Sequence, residues 1–310
     1  MIRVGVLRGG AGTDYEQSLA SGAYVLKHLP HDRYEVYDVY IDTEGVWHLG
    51  GTPVSEEKLR HRIDVIWNTL SGYFGADGKL QQLLEKLGIQ YTGSDPLTSA
   101  IVANRKLQKD RLATLGIVTP RGLFVDSWGD GVYDAKDVDT VVATVSKKFS
   151  PPWIVTPTSR VGGSDFVIAK TRIELAHILQ TMCQNKTPVL IEEAVIGQEV
   201  RVVASSGFRG QKTYTFLPVE KNRGAHKKLK REERDIVQRV ARSVHEGLEL
   251  GSYSCIHAVV SPKGRVYVTG VDTVLAVHPE SDFHEALTSV GSSFREFSEH
   301  VLSHARARKI

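Results

Sequence analysis

The hydrophobic pattern changes character along the chain. Residues 2–7 form a short, mainly apolar run, 34–41 alternate apolar and polar side chains, and 65–69 open on the apolar Val65-Ile66-Trp67, so each reads as a strand. Between and after them, 14–29 and 79–87 carry helical spacing, with Leu80, Leu83, Leu84 and Leu87 on one buried side. Strands alternating with helices predict a parallel α/β sheet for this third of the chain. After Thr92-Gly93-Ser94-Asp95-Pro96, where Ser94 or Asp95 can cap the next helix, the spacing predicts one helix over 99–115, ended by Gly116. Strands at 153–155 and 165–169 flank the turn Val161-Gly162-Gly163-Ser164; a helix covers 172–184 and a strand 189–193. A long helix over 231–248 precedes a hairpin within 251–273, and the last helix, 293–305, buries Phe294, Phe297 and Val301. The pattern divides the chain into residues 1–94, 95–187 and 188–310, with no internal repeat.

The hairpin gathers unusual chemistry. A turn at Ser261-Pro262-Lys263-Gly264 pairs Val260 with Arg265, hence His257 with Val268 and Cys255 with Gly270. Because side chains alternate faces along a strand, Cys255, His257, Val268, Gly270 and Asp272 are expected on one side.

Composition narrows the function classes. At 310 residues the chain has room for two or three domains with substantial cores. Its 41% hydrophobic and 24% charged content is ordinary for a soluble globular protein. A net charge of +3, without a basic stripe interleaved with aromatics, makes no case for nucleic acid. The opening residues lack the apolar region of a signal peptide, and no run reaches the roughly 20 apolar residues of a membrane span. Cys183 and Cys255 form neither a disulfide pattern nor a zinc spacing. The expectation is a cytoplasmic protein with small-molecule partners and neither nucleic acid nor membrane.

Several motifs then occur in a fixed order. Val6-Leu7-Arg8-Gly9-Gly10 precedes Glu16-Gln17-Ser18-Leu19; Asp64-Val65-Ile66-Trp67-Asn68 precedes Gly72, Gly75-Ala76-Asp77-Gly78 and Gln81. Next come the stretches Leu84-Glu85-Lys86-Leu87-Gly88-Ile89-Gln90-Tyr91-Thr92-Gly93-Ser94, Leu115-Gly116-Ile117-Val118-Thr119-Pro120 and Ile191-Glu192-Glu193-Ala194-Val195-Ile196-Gly197-Gln198-Glu199-Val200. In this order they resemble the D-alanine–D-alanine ligases of the ATP-grasp superfamily over nearly the full length. The resemblance implies an α/β ATP-grasp fold: an N-terminal Rossmann-like parallel sheet and two α+β subdomains clasping a nucleotide cleft. It also implies a homodimer, ATP as cofactor, and a reaction that activates one D-alanine as an acyl phosphate for attack by the amine of a second.

By that resemblance, Glu192 and Glu199 meet the adenine amino group and the ribose hydroxyls, with Ala194 and Val195 offering backbone contacts. Arg105 falls at a phosphate-binding lysine, keeping the charge with a different hydrogen-bond geometry. Gly162, Gly163 and Ser164 match the turn that covers the phosphates with N–H groups, and equally fit a plain hairpin turn. Glu16 matches a carboxylate that holds the substrate ammonium, with Ser18 beside it; Thr13-x-x-Glu16 is also a capping box that needs no ligand. Ser281 matches a carboxylate-binding serine, but in altered surroundings.

Other positions depart from the pattern. Thr156 stands for a phosphate lysine, Ser71 and Ala76 for a His and a Glu, and Cys255 for the arginine that stabilises the tetrahedral intermediate. His257, Gly270 and Asp272 stand for the metal aspartate, the bridging glutamate and an asparagine. His257 with Asp272 is a poor magnesium set, though it would suit zinc or manganese better. The loop over 221–230 is shorter than the family's lid; its basic run reads as an anion contact or a solvated face. A degenerate paralogue that acts through binding, as a dimer partner or regulator, is therefore weighed ahead of an active ATP-dependent carboxylate–amine ligase of peptidoglycan precursor synthesis. Dinucleotide binding at Gly9-Gly10-Ala11-Gly12 with Asp42 lacks the third glycine of that fingerprint.

Overall fold

The computed structural model describes residues 1–12, 14–126, 135–158, 166–221 and 228–308. Fifteen strands form three sheets among these residues. The first contains β1 (Ile2–Gly9), β2 (Tyr34–Ile41), β3 (Trp47–Leu49), β4 (Thr52–Pro53), β5 (Val65–Asn68) and β6 (Gln90–Tyr91), in the order β4-β3-β2-β1-β5-β6. Strands β2, β1, β5 and β6 pair in parallel, as the strand–helix alternation predicts, while β3 and β4 add an antiparallel edge. Gly9, at φ +90°, is required there: a Cβ would lie 2.1 Å from the Ile41 carbonyl oxygen on β2.

The second sheet comprises β7 (Gly122–Val125), β8 (Trp153–Pro157), β9 (Val167–Ala169) and β10 (Val189–Glu193), all antiparallel, in the order β7-β10-β8-β9. Helices Ala135–Lys148 and Arg172–Gln184 close its core, where Trp153, Val155, Leu175 and Ile191 are fully buried or nearly so. The third sheet contains β11 (Gln198–Ser206), β12 (Thr213–Thr215), β13 (Val219–Lys221), β14 (Tyr253–Val260) and β15 (Val266–Asp272), with β13 on the flank of β11. Its two faces are unlike. Val200, Val202, Ile256, Ala258 and Val268 pack under helix Arg231–Gly247, whereas the opposite face carries polar side chains into a cleft. The last helix, Phe294–Ala307, joins distant parts of the chain: Phe297 and Val301 share one core with Val6 and Trp67 of the first sheet and Tyr253 of the third.

Two local predictions are corrected. The single helix expected over 99–115 is two helices, Pro96–Ala103 and Arg105–Thr114. Asn104 breaks it by taking an extended conformation (φ −90°, ψ 111°), its side-chain oxygen accepting from the Lys106 and Leu107 N–H groups as an N-cap. Asp95 caps the first of the two, accepting from Thr98. The hairpin register also differs. Val260 pairs with Val266, and a β-bulge at Thr269 shifts the register again, so His257 faces Gly270 and Cys255 faces Asp272. Val268 pairs with Ala258 and points into the core under the long helix, so it forms no wall beside His257. Cys255, His257, Gly270 and Asp272 do share the cleft face, because two single-residue shifts restore their side.

Candidate functional site

Three adjoining cavities, of about 150, 320 and 160 Å³, run end to end between the sheets. The first lies at the connection from the second sheet to the third. Ile154, Thr156, Val195 and Val259 give it apolar walls, and Glu192, Glu193, Glu199, Arg105 and Arg201 give it charge. Arg201 and His257 continue into the middle cavity with Lys221, Cys255, Asp272 and Ser281. Asp272 and Gln17 continue into the last, beside Asp14, Ser71, Gly72, Ala76 and Thr273.

At the connecting end the acids are held by cations. Glu192 is ion-paired to Lys109, whose ammonium also donates to the Pro120 carbonyl, and only 15% of the Glu192 side chain is exposed. A carboxylate accepts several hydrogen bonds, so one pairing does not exhaust it. Arg121 grips Glu193 through Nε (2.8 Å) and Nη2 (2.6 Å). Burial pushes the Glu193 carboxyl up, but the bonds from Arg121 outweigh that and hold it below its ordinary range. Glu199 and Arg201 share the cleft face of β11. The Ala194 N–H donates to the Pro152 carbonyl (3.0 Å), while Val195 lines the cavity.

The break at Asn104 positions Arg105 as the first residue of its helix, with its N–H bonded to the Thr158 carbonyl (3.0 Å). Arg105 Nη1 crosses to the hairpin and donates to the carbonyl of Thr269, the bulge residue (3.2 Å). Arg201 pairs in register with His257, and His257 with Gly270, forming one row across the face. His257 Nε2 lies 2.7 Å from Asp272 Oδ2. Burial pushes the His257 pKa down; Asp272 opposes this, and Arg201 and Arg105 reinforce it. The ring is therefore neutral near pH 7, with Nε2–H donated to Asp272. Burial drives the Cys255 thiol well above its ordinary pKa, so it is no thiolate nucleophile.

Magnesium prefers near-octahedral oxygen coordination, and on the hairpin face Asp272 offers a carboxylate with the nitrogen of His257 beside it. Among the described residues no group of three or more His, Cys, Asp or Glu side chains is placed to hold a metal. Asp272 is joined to an imidazole, and the position facing that imidazole is a glycine.

The sequence reading assigned Glu16 and Ser18 to a substrate. Glu16 is exposed, and Asp14 and Gln17 line the cavity. The capping box expected at Thr13 falls outside the described residues; helix Tyr15–His28 starts after Asp14 without a side-chain cap. Ser18 is buried, its Oγ accepting from the Gly9 N–H (3.0 Å), a role within the fold. The Asp42 carboxylate, expected to hold a ribose in the dinucleotide reading, is taken up by His48 and the N–H groups of Glu44 and Val46. Ser281 caps helix Asp282–Ser289, accepting from His284 and donating to the His278 carbonyl (2.6 Å). Ser71 and Thr273, by contrast, each bury a hydroxyl with no partner among the described residues on the wall of the last cavity, where a ligand or water can meet them. Gly162, Gly163 and Ser164, and most of the basic run after Lys221, lie outside the described residues.

Arg201 was missed in the sequence, whereas Lys221 was read as the start of a basic run and is the last residue of β13. The period-two alternation from Glu199 carried the signal for Arg201. Lys221 faces Glu199 across β11 and β13 and is ion-paired to Asp282.

The cleft between the second and third sheets, beside a parallel sheet, is the arrangement of the ATP-grasp fold. Comparison with known proteins agrees. No family model matches the chain. The D-alanine–D-alanine ligase of Desulforudis audaxviator is 26% identical over 322 residues, covering 99% of both chains. The solved D-alanine–D-alanine ligase from Coxiella burnetii superposes with a TM-score of 0.88 at 20% identity, covering 99% of this chain and 96% of that one. The enzyme from Bacillus anthracis in complex with ATP gives 0.79 at 22% identity, covering 98% and 97%. Within that fold class, the chain is similar to D-alanine–D-alanine ligases over nearly its full length.

Proposed function

We propose that this chain is a degenerate paralogue of the D-alanine–D-alanine ligases, which keeps a nucleotide-sized cleft and acts through binding rather than acyl-phosphate chemistry. One observation carries this reading: on the hairpin, Cys255 stands where a transition-state cation is expected, and His257 closes on Asp272 opposite Gly270. Loss of one oxyanion donor alone costs about 10²–10³ in rate, and phosphoryl transfer depends on charge neutralisation at the transferring group. Nucleotide in the connecting cavity is supported by Glu192 and Glu199 and by the ATP bound in the Bacillus anthracis neighbour. The partners that fit are a nucleotide, an amino acid or dipeptide, and a second copy of the chain.

The test is turnover. Purified protein with ATP, Mg²⁺ and D-alanine should release no phosphate above the protein-free rate and yield no dipeptide by mass spectrometry. Sustained, D-alanine-dependent release would overturn the proposal and favour the second reading, an active carboxylate–amine ligase, which rests on the full motif order and the retained acids.

A further inference from the structure

The space beside His257 is occupied by a cation of the chain itself. A Cβ on Gly270 would lie 3.1 Å from Arg105 Nη1 and 3.5 Å from His257 Nδ1, so the missing side chain is what admits the guanidinium. Arg105 is fixed at both ends: its N–H is bound to Thr158 and its Nη1 to the bulge carbonyl of Thr269. Arg201, in register with His257, brings a second guanidinium to the same cavity wall. Both lie close enough to His257 to disfavour its protonation. An arginine is longer than a lysine, always charged, and forked to match phosphate oxygens.

We propose that Arg105 and Arg201 together take the place of the divalent cation, and that the cleft holds the polyphosphate of a nucleotide as the free, metal-unbound anion. This rests on the nucleotide reading above. The two guanidiniums neutralise charge that Mg²⁺ would otherwise carry. Mg²⁺ in solution therefore competes with them for the same phosphate oxygens instead of assisting. His257 Nε2, 2.7 Å from Asp272 Oδ2, keeps that carboxylate hydrogen-bonded and so limits its repulsion of the ligand.

The experiment is calorimetric titration with the β,γ-imido analogue of ATP, in EDTA and in excess Mg²⁺. Binding in EDTA should equal or exceed that in Mg²⁺. Arg201→Gln should weaken the EDTA value by about 10–100-fold, and Arg201→Lys by less, because an ammonium keeps charge but not the fork. Unchanged melting curves for the lysine variant guard against misfolding of the glutamine one. Tightening by about tenfold or more with Mg²⁺, or an Arg201→Gln protein that binds as well as wild type, would overturn the inference while leaving nucleotide binding intact. Absence of binding in both buffers would overturn the inference and the nucleotide reading together.

Discussion

At the connection between the second and third sheets, Glu192 and Glu199 line the first cavity, and Lys109 and Arg121 hold the local carboxylates in position. Across the cleft, the hairpin carries other chemistry: a buried thiol, an imidazole on Asp272, and a glycine with Arg105 beside it. In the proposed function the first region recognises a ligand, while the second has lost the groups that neutralise phosphate and stabilise developing charge. Recognition depends on groups that a folded strand pair presents anyway. In that reading, metal-assisted transfer depends on a few carboxylates in one geometry, and those are the positions that changed.

Acid should separate the two regions most. His245 lies under the hairpin sheet, 1% exposed, with Nδ1 2.7 Å from Ser254 Oγ on β14 and Nε2 2.9 Å from Ser206 Oγ on β11. Burial lowers its pKa to about 4. The unfolded chain, with an ordinary histidine near 6.5, takes up a proton that the folded chain refuses, so this contribution is complete above that pH. It is lost as pH falls toward 4, by on the order of 3 kcal/mol. Urea denaturation across this range should show the loss, and His245→Gln should flatten it. Amides of β14 should exchange before those of β10, where Arg121 keeps Glu193 ionised.

Next in size is the connecting ion pair. Glu192→Ala leaves the Lys109 ammonium in a site where only 17% of its side chain is exposed, and should cost about 1–3 kcal/mol in chemical denaturation. It should also weaken nucleotide binding. Stability unchanged within error would mean that Lys109 finds water easily and the region is less organised than its geometry implies.

Rebuilding the hairpin tests the other side. Combining Arg105→Lys, His257→Asp and Gly270→Glu restores oxygen ligands and clears the guanidinium. Nucleotide affinity should then rise about tenfold on adding Mg²⁺, where wild type shows no gain. A rebuilt protein that ignores Mg²⁺ would place the defect outside these three residues. The smallest effect is expected at Cys255. Its high thiol pKa makes it a poor nucleophile, so iodoacetamide should label it slowly in the folded protein, and Cys255→Ser should leave nucleotide affinity within about twofold.

Much of the fold was legible because its signals are local and periodic. The strands at 34–41 and 189–193 and the helix at 172–184 arise from side-chain alternation and helical spacing, and match the structure residue for residue. What escaped depended on single backbone events. Asn104 interrupts a helical pattern with an N-cap, and that break aims Arg105. The bulge at Thr269 shifts the register of β15, sends Val268 into the core and sets His257 against Gly270. Hydropathy sees neither, since the apolar count is unchanged. The candidate site was legible at Glu192, Glu199, Arg105, His257 and Asp272, which line the cavities. Glu16 and Ser18 occur in the expected order, but one is exposed and the other bonds within the fold. Order along the chain does not report which side of a helix lines a cavity.

A crystal structure of the protein with the β,γ-imido ATP analogue, grown in excess Mg²⁺, tests the central claim most directly. The expected result is adenine and ribose at Glu192 and Glu199, phosphate oxygens on Arg105 and Arg201, and the His257–Asp272 hydrogen bond intact. An octahedral ion on Asp272 bridging the phosphates, with His257 turned away, would contradict it.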